Sequence, residues 1–252
     1  MKVLPDHTTL QLSVLDERFY QSPTDPEKFY PGATTILSVW PKGQLTEWFK
    51  NVGHNADIIL KRAGEEGSRV HDAIQNFLLG LPITWETDGV QNYSLLEWQL
   101  ITKFQEFYWT YQPQTLEIEK ILVSDTLEFG GMLDWICTIN GETWYIDHKT
   151  SNSIWKEHSY QLSAYMALLA ELDYKIDRVG LLHLKAGTRT VKEKDFQGLG
   201  WKLYDITDKI EHGFKMFQTA QTIWRDENPN FKPKNRIYPM GYILTENPFT
   251  KE

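Results

Sequence analysis

The chain of 252 residues contains one cysteine, Cys137, so it forms no intramolecular disulfide. Nor can it supply the two to four thiols of an all-cysteine metal site or an iron–sulfur cluster. Long apolar runs are also missing: the richest stretch, Tyr165 to Ala170, falls far short of the ~18 residues of a membrane-spanning helix. The N-terminal MKVLPDHTTL has neither an apolar signal core nor the Arg-rich, acid-poor composition of a transit peptide. Together these absences predict a soluble protein of a reducing, cytoplasmic compartment. Basic residues are in deficit, 26 Lys and Arg against 34 Asp and Glu, for a net charge of −8. That balance argues against a protein that coats nucleic acid through charge alone. It does not argue against one that meets phosphate through metal ions. There is no internal repeat, low-complexity tract or Gly/Ser linker, and one domain spanning 1–252 with a core over about 53–225 is expected.

Aromatic residues are plentiful, with 12 Phe, 10 Trp and 12 Tyr, which predicts an aromatic-rich core. Residues 1–43, with prolines at 5, 23, 26, 31 and 41, read as irregular. Helical periodicity covers about 46–79, where Val70, Ile74 and Phe77/Leu78 share a face before Gly80 and Pro82. A second helix is predicted over 94–111, stopped by Pro113. Strand patterns rich in β-branched and aromatic residues follow at 115–123, 129–139 and 142–149. A helix over 156–172, a buried strand at 178–185, a partner strand at 188–194 and an amphipathic helix over 203–225 complete the pattern. This order predicts a mixed α/β (α+β) domain, with a central mixed β-sheet flanked by helices.

The sharpest local signal is Asn140-Gly141 between two strands, the strongest short hairpin signature, because a type I′ turn needs φ > 0 at both central positions. A two-residue loop pairs Ile139 with Glu142, and counting back along the ladder sets Asp134 opposite Asp147, with Cβ atoms ~4.5–5.5 Å apart. At ~5 Å and an effective dielectric of ~20, two such charges repel by roughly 3 kcal/mol. Either one is protonated or a cation lies between them. Lys149 shares the strand face of Asp147 and neutralises one charge but not both. Glu119 becomes a cross-strand neighbour of Asp134 if the preceding turn is centred on Thr126-Leu127; Glu117 is the alternative. Three carboxylates and a lysine on one sheet face describe a hard, oxygen-rich site for Mg²⁺ or Mn²⁺.

Five motifs then occur in order: Gly67-Ser-Arg-Val-His71, Glu119-Lys-Ile-Leu-Val, Phe129-Gly-Gly-Met-Leu-Asp134, Asp147-His-Lys149-Thr, and Tyr160-Gln161-Leu-Ser-Ala-Tyr165. Together they resemble the RecB-like exonuclease branch of the PD-(D/E)xK nuclease superfamily, over roughly residues 28–185. Tyr30-Pro-Gly-Ala-Thr-Thr-Ile-Leu37 is similar to the leader found in phage and mitochondrial genome maintenance exonucleases.

The resemblance implies a restriction-endonuclease-like core and a metal-dependent deoxyribonuclease acting on single-stranded DNA or DNA ends in phage or bacterial replication, recombination or repair. It implies Asp134 and Asp147 as metal ligands, the His148 backbone carbonyl completing the shell, and His71 as a further ligand. Lys149 would contact the attacking water or the scissile phosphate, and Glu119 would be a second-metal or outer-shell acid. Gln161 and Tyr165, with Ser68 and Thr150, would support the site or touch DNA. His148 departs from the pattern, which expects an aromatic or apolar residue there; strand alternation turns its ring away from Lys149. An endonuclease of the same fold and a non-catalytic DNA-end-binding protein are the alternative readings. His71 also fits an ordinary packed core histidine beside Ile74 and Leu78. Lys232, Lys234 and Arg236 form a small basic cluster, either a solvated loop or a phosphate contact. Trp40, Trp48 and Trp85 are candidates for stacking on bases, or for packing.

Overall fold

Asn140 and Gly141 both adopt positive φ, 51° and 85°, and the hairpin they close is in the register that a two-residue loop dictates, from Ile139↔Glu142 to Trp135↔Ile146. This hairpin is the centre of the molecule. The computed structural model describes residues 11–14, 17–184 and 200–233. In chain order, strands β1 (Gln11–Val14), β2 (Glu17–Gln21) and β3 (Phe29–Pro31) precede a single helical turn, α1 (Ala33–Ile36), and a 3₁₀ turn at Leu37–Val39. Helices α2 (Gly43–Val52) and α3 (Ala56–Leu78) follow, then a small hairpin, β4 (Glu86–Thr87) and β5 (Val90–Gln91), and α4 (Leu95–Tyr111). The main strands are β6 (Gln114–Ser124), β7 (Phe129–Ile139), β8 (Glu142–Lys149), β9 (Arg178–Leu184) and β10 (Trp201–Asp205). Helix α5 (Lys156–Glu171) links β8 to β9, and α6 (Ile210–Glu227) follows β10.

The five main strands form one mixed sheet in the order β10-β9-β8-β7-β6, parallel between β8 and β9 and antiparallel elsewhere. Trp135, Cys137, Ile139, Ile146 and Leu182 pack on one face with Val70, Ala73 and Ile74 of α3 and Phe104 and Phe107 of α4. On the other face Ile136, Tyr145, Val179 and Leu181 meet Leu162, Leu168 and Leu169 of α5 and Phe217 and Ala220 of α6. Most of the described aromatics are thus either buried or half-buried against these clusters, as composition suggests, while Trp109, Tyr111 and Trp155 are exposed. Cys137 is fully buried, and burial pushes its thiol pKa up, which leaves it unreactive. Among the described residues no helix is long and apolar enough to cross a membrane.

Three expectations are corrected. The helix predicted over 46–79 is broken, because Gly53 takes φ 68°, ψ −140°, a conformation open essentially to glycine alone. The helix predicted from 203 begins at Ile210; Trp201–Asp205 is instead the edge strand paired with β9, and the partner strand expected at 188–194 lies outside the described residues. The leader, read as irregular, is a three-stranded antiparallel sheet. Long-range polar contacts hold it to the turn between β6 and β7, where the Asp125 carboxylate accepts from the Tyr30 hydroxyl at 2.8 Å and the Thr24 hydroxyl at 2.6 Å.

Candidate metal centre

The β6–β7 ladder is in register on both sides of one point, Ile118↔Trp135 and Lys120↔Leu133, and skips the rung between them, Glu119 and Asp134. Glu119 sits at φ 46° in the middle of an 11-residue strand. That left-handed conformation is costly for a residue with a side chain, and such strain concentrates at functional sites. It also shifts the alternation of both strands. Ile118 and Trp135 face α3 and α4, whereas Leu122 and Leu133 face α5 and α6, although each pair is an even number of residues apart. The β7–β8 ladder likewise ends at Trp135↔Ile146, one rung short of Asp134 and Asp147. The three strands therefore open at the same level, and the three predicted carboxylates lie there.

On the α3 side of the opening the Asp134 Oδ2 accepts from the His148 backbone N–H at 2.8 Å, and stands 3.5 Å from His71 Nδ1 and 3.6 Å from His148 Nδ1. Oxygen and nitrogen donors from these three residues all lie within 4.8 Å of one another. His71, Glu119, Asp134 and His148 share the wall of a void of about 10 Å³, roughly one water or ion. Burial works against the Asp134 carboxylate, but His71, the ring and amide of His148, and Lys149 outweigh it and hold the group below the ordinary range. The His148 ring, packed between Phe104 and Trp135, is driven neutral by burial, its pKa falling to about 3. A neutral imidazole keeps one lone pair for a ligand. Its Nε2 is buried without a hydrogen-bond partner, and its Nδ1 is beyond hydrogen-bond length from Asp134. Glu119 is pushed up to about 7, by burial first and then by Asp134.

Gathered donors, an ionised acid, a neutral ring and an ion-sized void fit a divalent cation. Two donors each ~2.1 Å from one ion are separated by about 3.0–3.5 Å at octahedral or tetrahedral angles, close to the spacings observed. The composition of the set differs from the oxygen-rich site expected, in which His71 was the one side-chain nitrogen ligand. The His148 side chain joins it, in place of the backbone carbonyl, because the face opposite Lys149 is the face onto which α3 brings His71. Asp147 is outside the three-donor group.

On the α5 side Asp147 is buried, its Oδ2 2.7 Å from Lys149 Nζ, and Lys149 Nζ donates to Gln161 Oε1 at 3.1 Å. Burial raises the Asp147 pKa to about 6, with Lys149 opposing and Asp134 adding to the shift. Gln161 lies near Tyr165, whose phenol is pushed up by burial with Gln161 opposing. The paired glycines of β7 explain this packing. A Cβ at Gly131 would come within 2.1 Å of the Tyr165 ring, and one at Gly130 within 2.4 Å of the Tyr20 ring. Gly67 plays the same part for α3, where an added Cβ would stand 3.1 Å from Thr150 Oγ1, so the glycine lets the helix approach the end of β8. Ser68, by contrast, is exposed on α3 and makes no hydrogen bond among the described residues. The functional candidate that sequence reasoning undervalued is the His148 ring; its signal was the polar residue at a position where an aromatic or apolar one was expected. No family model matches the chain, and no curated protein matches its sequence.

Proposed function

We propose that the chain is a divalent-metal-dependent deoxyribonuclease of the PD-(D/E)xK type, with a restriction-endonuclease-like core. In this reading it is a cytoplasmic exonuclease of a bacterium or phage-infected host that acts on single-stranded DNA or DNA ends. One observation carries it: four separate segments deliver His71, Glu119, Asp134, Asp147 and Lys149 to the single level at which the β6–β7–β8 ladders open, and strained backbone at Glu119 maintains that opening. A fold gains no stability from assembling carboxylates there.

His71, Asp134 and His148 would hold a cation, with Glu119 at the wall. A bound divalent ion supplies Lewis-acid activation of the scissile phosphate and of the attacking water. Lys149, held by Asp147 and Gln161, presents an ammonium at the adjoining face, where it donates to a phosphate oxygen as charge builds on it. Tyr165 and the two glycines of β7 keep Gln161 in place. The test is cleavage of end-labelled single- and double-stranded DNA with Mg²⁺, Mn²⁺ or EDTA. Metal-dependent loss of linear but not covalently closed circular DNA is expected. No cleavage with either metal, or full activity in Asp147→Ala, would refute the reading.

A further inference from the structure

Away from the candidate metal centre a cavity of about 460 Å³ lies between the leader and the C-terminal end of α6. It falls in the size range of sites that enclose small ligands. It is lined by Arg18 of β2, by the hydroxyl-bearing residues Thr34, Thr35 and Ser38, and by Trp224, Asn228 and Phe231 at the end of α6 and just beyond it. No carboxylate lines it, although acids outnumber bases in this chain. Arg18 lies close enough to the buried Tyr20 phenol to lower its pKa against the effect of burial, the Tyr20 ring lies over Gly130 of β7, and Arg18 forms no ion pair among the described residues. Its positive charge also acts on Glu119. Thr34 and Thr35 belong to the leader motif, whose role the metal chemistry leaves unexplained. Lys232 follows Phe231 in the chain, adding a further exposed cation next to this lining.

A guanidinium with three hydroxyls matches a phosphate group, and the two aromatic residues of the lining match a sugar and base. We propose that this cavity is a subsite for one nucleotide of a single-stranded DNA, its phosphate on Arg18 and the hydroxyls and its base against Trp224 and Phe231. The inference rests on the nuclease reading and extends it. It gives the substrate strand a direction of approach, from Arg18 towards Glu119.

The test is binding of a fluorescein-labelled oligothymidylate to the full chain in EDTA, followed by anisotropy across a salt series. Arg18→Gln should weaken binding about tenfold at low salt and make the salt slope shallower by about 0.7, the loss of one phosphate contact to a single strand. Arg18→Lys should restore most of the slope, Thr34→Val should weaken binding a few-fold, and Lys215→Gln, an exposed α6 cation paired with Glu211, should change nothing. Thymidine monophosphate should compete better than inorganic phosphate, since phosphate alone leaves the aromatic residues uncontacted. Folding of each variant is checked by circular dichroism. A wild type that binds DNA with affinity and slope unaltered in Arg18→Gln and Thr34→Val overturns the subsite and leaves the nuclease reading standing. A wild type that neither binds nor cuts DNA overturns both.

Discussion

The two ends of the β7–β8 hairpin obey opposite rules. At the Asn140–Gly141 end every rung is paired, all residues but Cys137 and Glu142 are β-branched or aromatic, and the turn is of the type its sequence demands. At the other end the ladder stops at Trp135↔Ile146, the neighbouring β6 rung is skipped, and acids, imidazoles and an ammonium occupy the gap. The closed end is explained by stability alone. The open end costs stability, because repelling and buried charges, an unsatisfied imidazole and a left-handed glutamate are all unfavourable in themselves, and a cation held there would offset that cost.

The largest expected contrast is in catalysis. Lys149→Ala or Asp134→Asn should reduce DNA cleavage by on the order of 10³-fold in end-labelled assays. At the closed end, Asn140→Ala should leave cleavage per folded molecule unchanged and cost about 1 kcal/mol through its positive φ. Next in size is Gly131→Ala. The added methyl collides with the Tyr165 ring, so denaturant titration should show a loss of about 3 kcal/mol, and cleavage should fall as Gln161 and Lys149 lose their support.

Metal binding sharpens the contrast further. At a hundredfold excess over its dissociation constant Mn²⁺ should add about 2.7 kcal/mol of stability, read as a rise in melting temperature. With two imidazoles in the donor set, Mg²⁺ at the same concentration should add less. Asp134→Asn and His71→Ala should abolish the rise and Asn140→Ala should retain it.

The smallest effects concern Glu119. Glu119→Gly should stabilise the metal-free protein by about 1 kcal/mol, by relieving the left-handed backbone, while weakening Mn²⁺ binding in calorimetry. Because the folded protein raises this carboxyl from 4.5 to about 7, the proton is held more tightly in the native state. Its stabilising contribution is complete below pH 4.5 and is lost as pH rises through 7. Glu119→Gln should therefore gain on the wild type between pH 5 and pH 8, by about 1 kcal/mol once solvent screening of this part-exposed group is allowed for. Equal differences at both pH values would count against the assignment.

Much of the candidate site was legible in advance. Asn140-Gly141 specifies a hairpin register by local backbone chemistry, and that register brings Asp134 and Asp147 to one level; the four-residue turn at 125–128 does the same for Glu119, with Glu117 as the alternative that the sequence alone left open. Less legible were features that depend on distant partners. Trp201–Asp205 extends because β9 offers an open edge, and residues 11–31 pair because Asp125 and Gly130 anchor them, although nothing within either segment requires it. The His148 ring could be placed on the face opposite Lys149, but not beside His71. That contact exists because Gly67 lets α3 close onto Thr150.

The sequence alone determined the central order of strands, the register of the β7–β8 hairpin and the level that Asp134 and Asp147 share, since each of these follows from local backbone preference and from counting residues; it left the β6–β7 register open between Glu119 and Glu117. Tertiary structure decided which groups meet. Packing of α3 converted an oxygen-rich prediction into a mixed site of two imidazoles and a carboxylate, left Asp147 with Lys149, and kept Glu119 in a conformation no strand would choose. Local chemistry sets where a side chain lies along the chain, but the distance between two side chains is set by the elements packed around them.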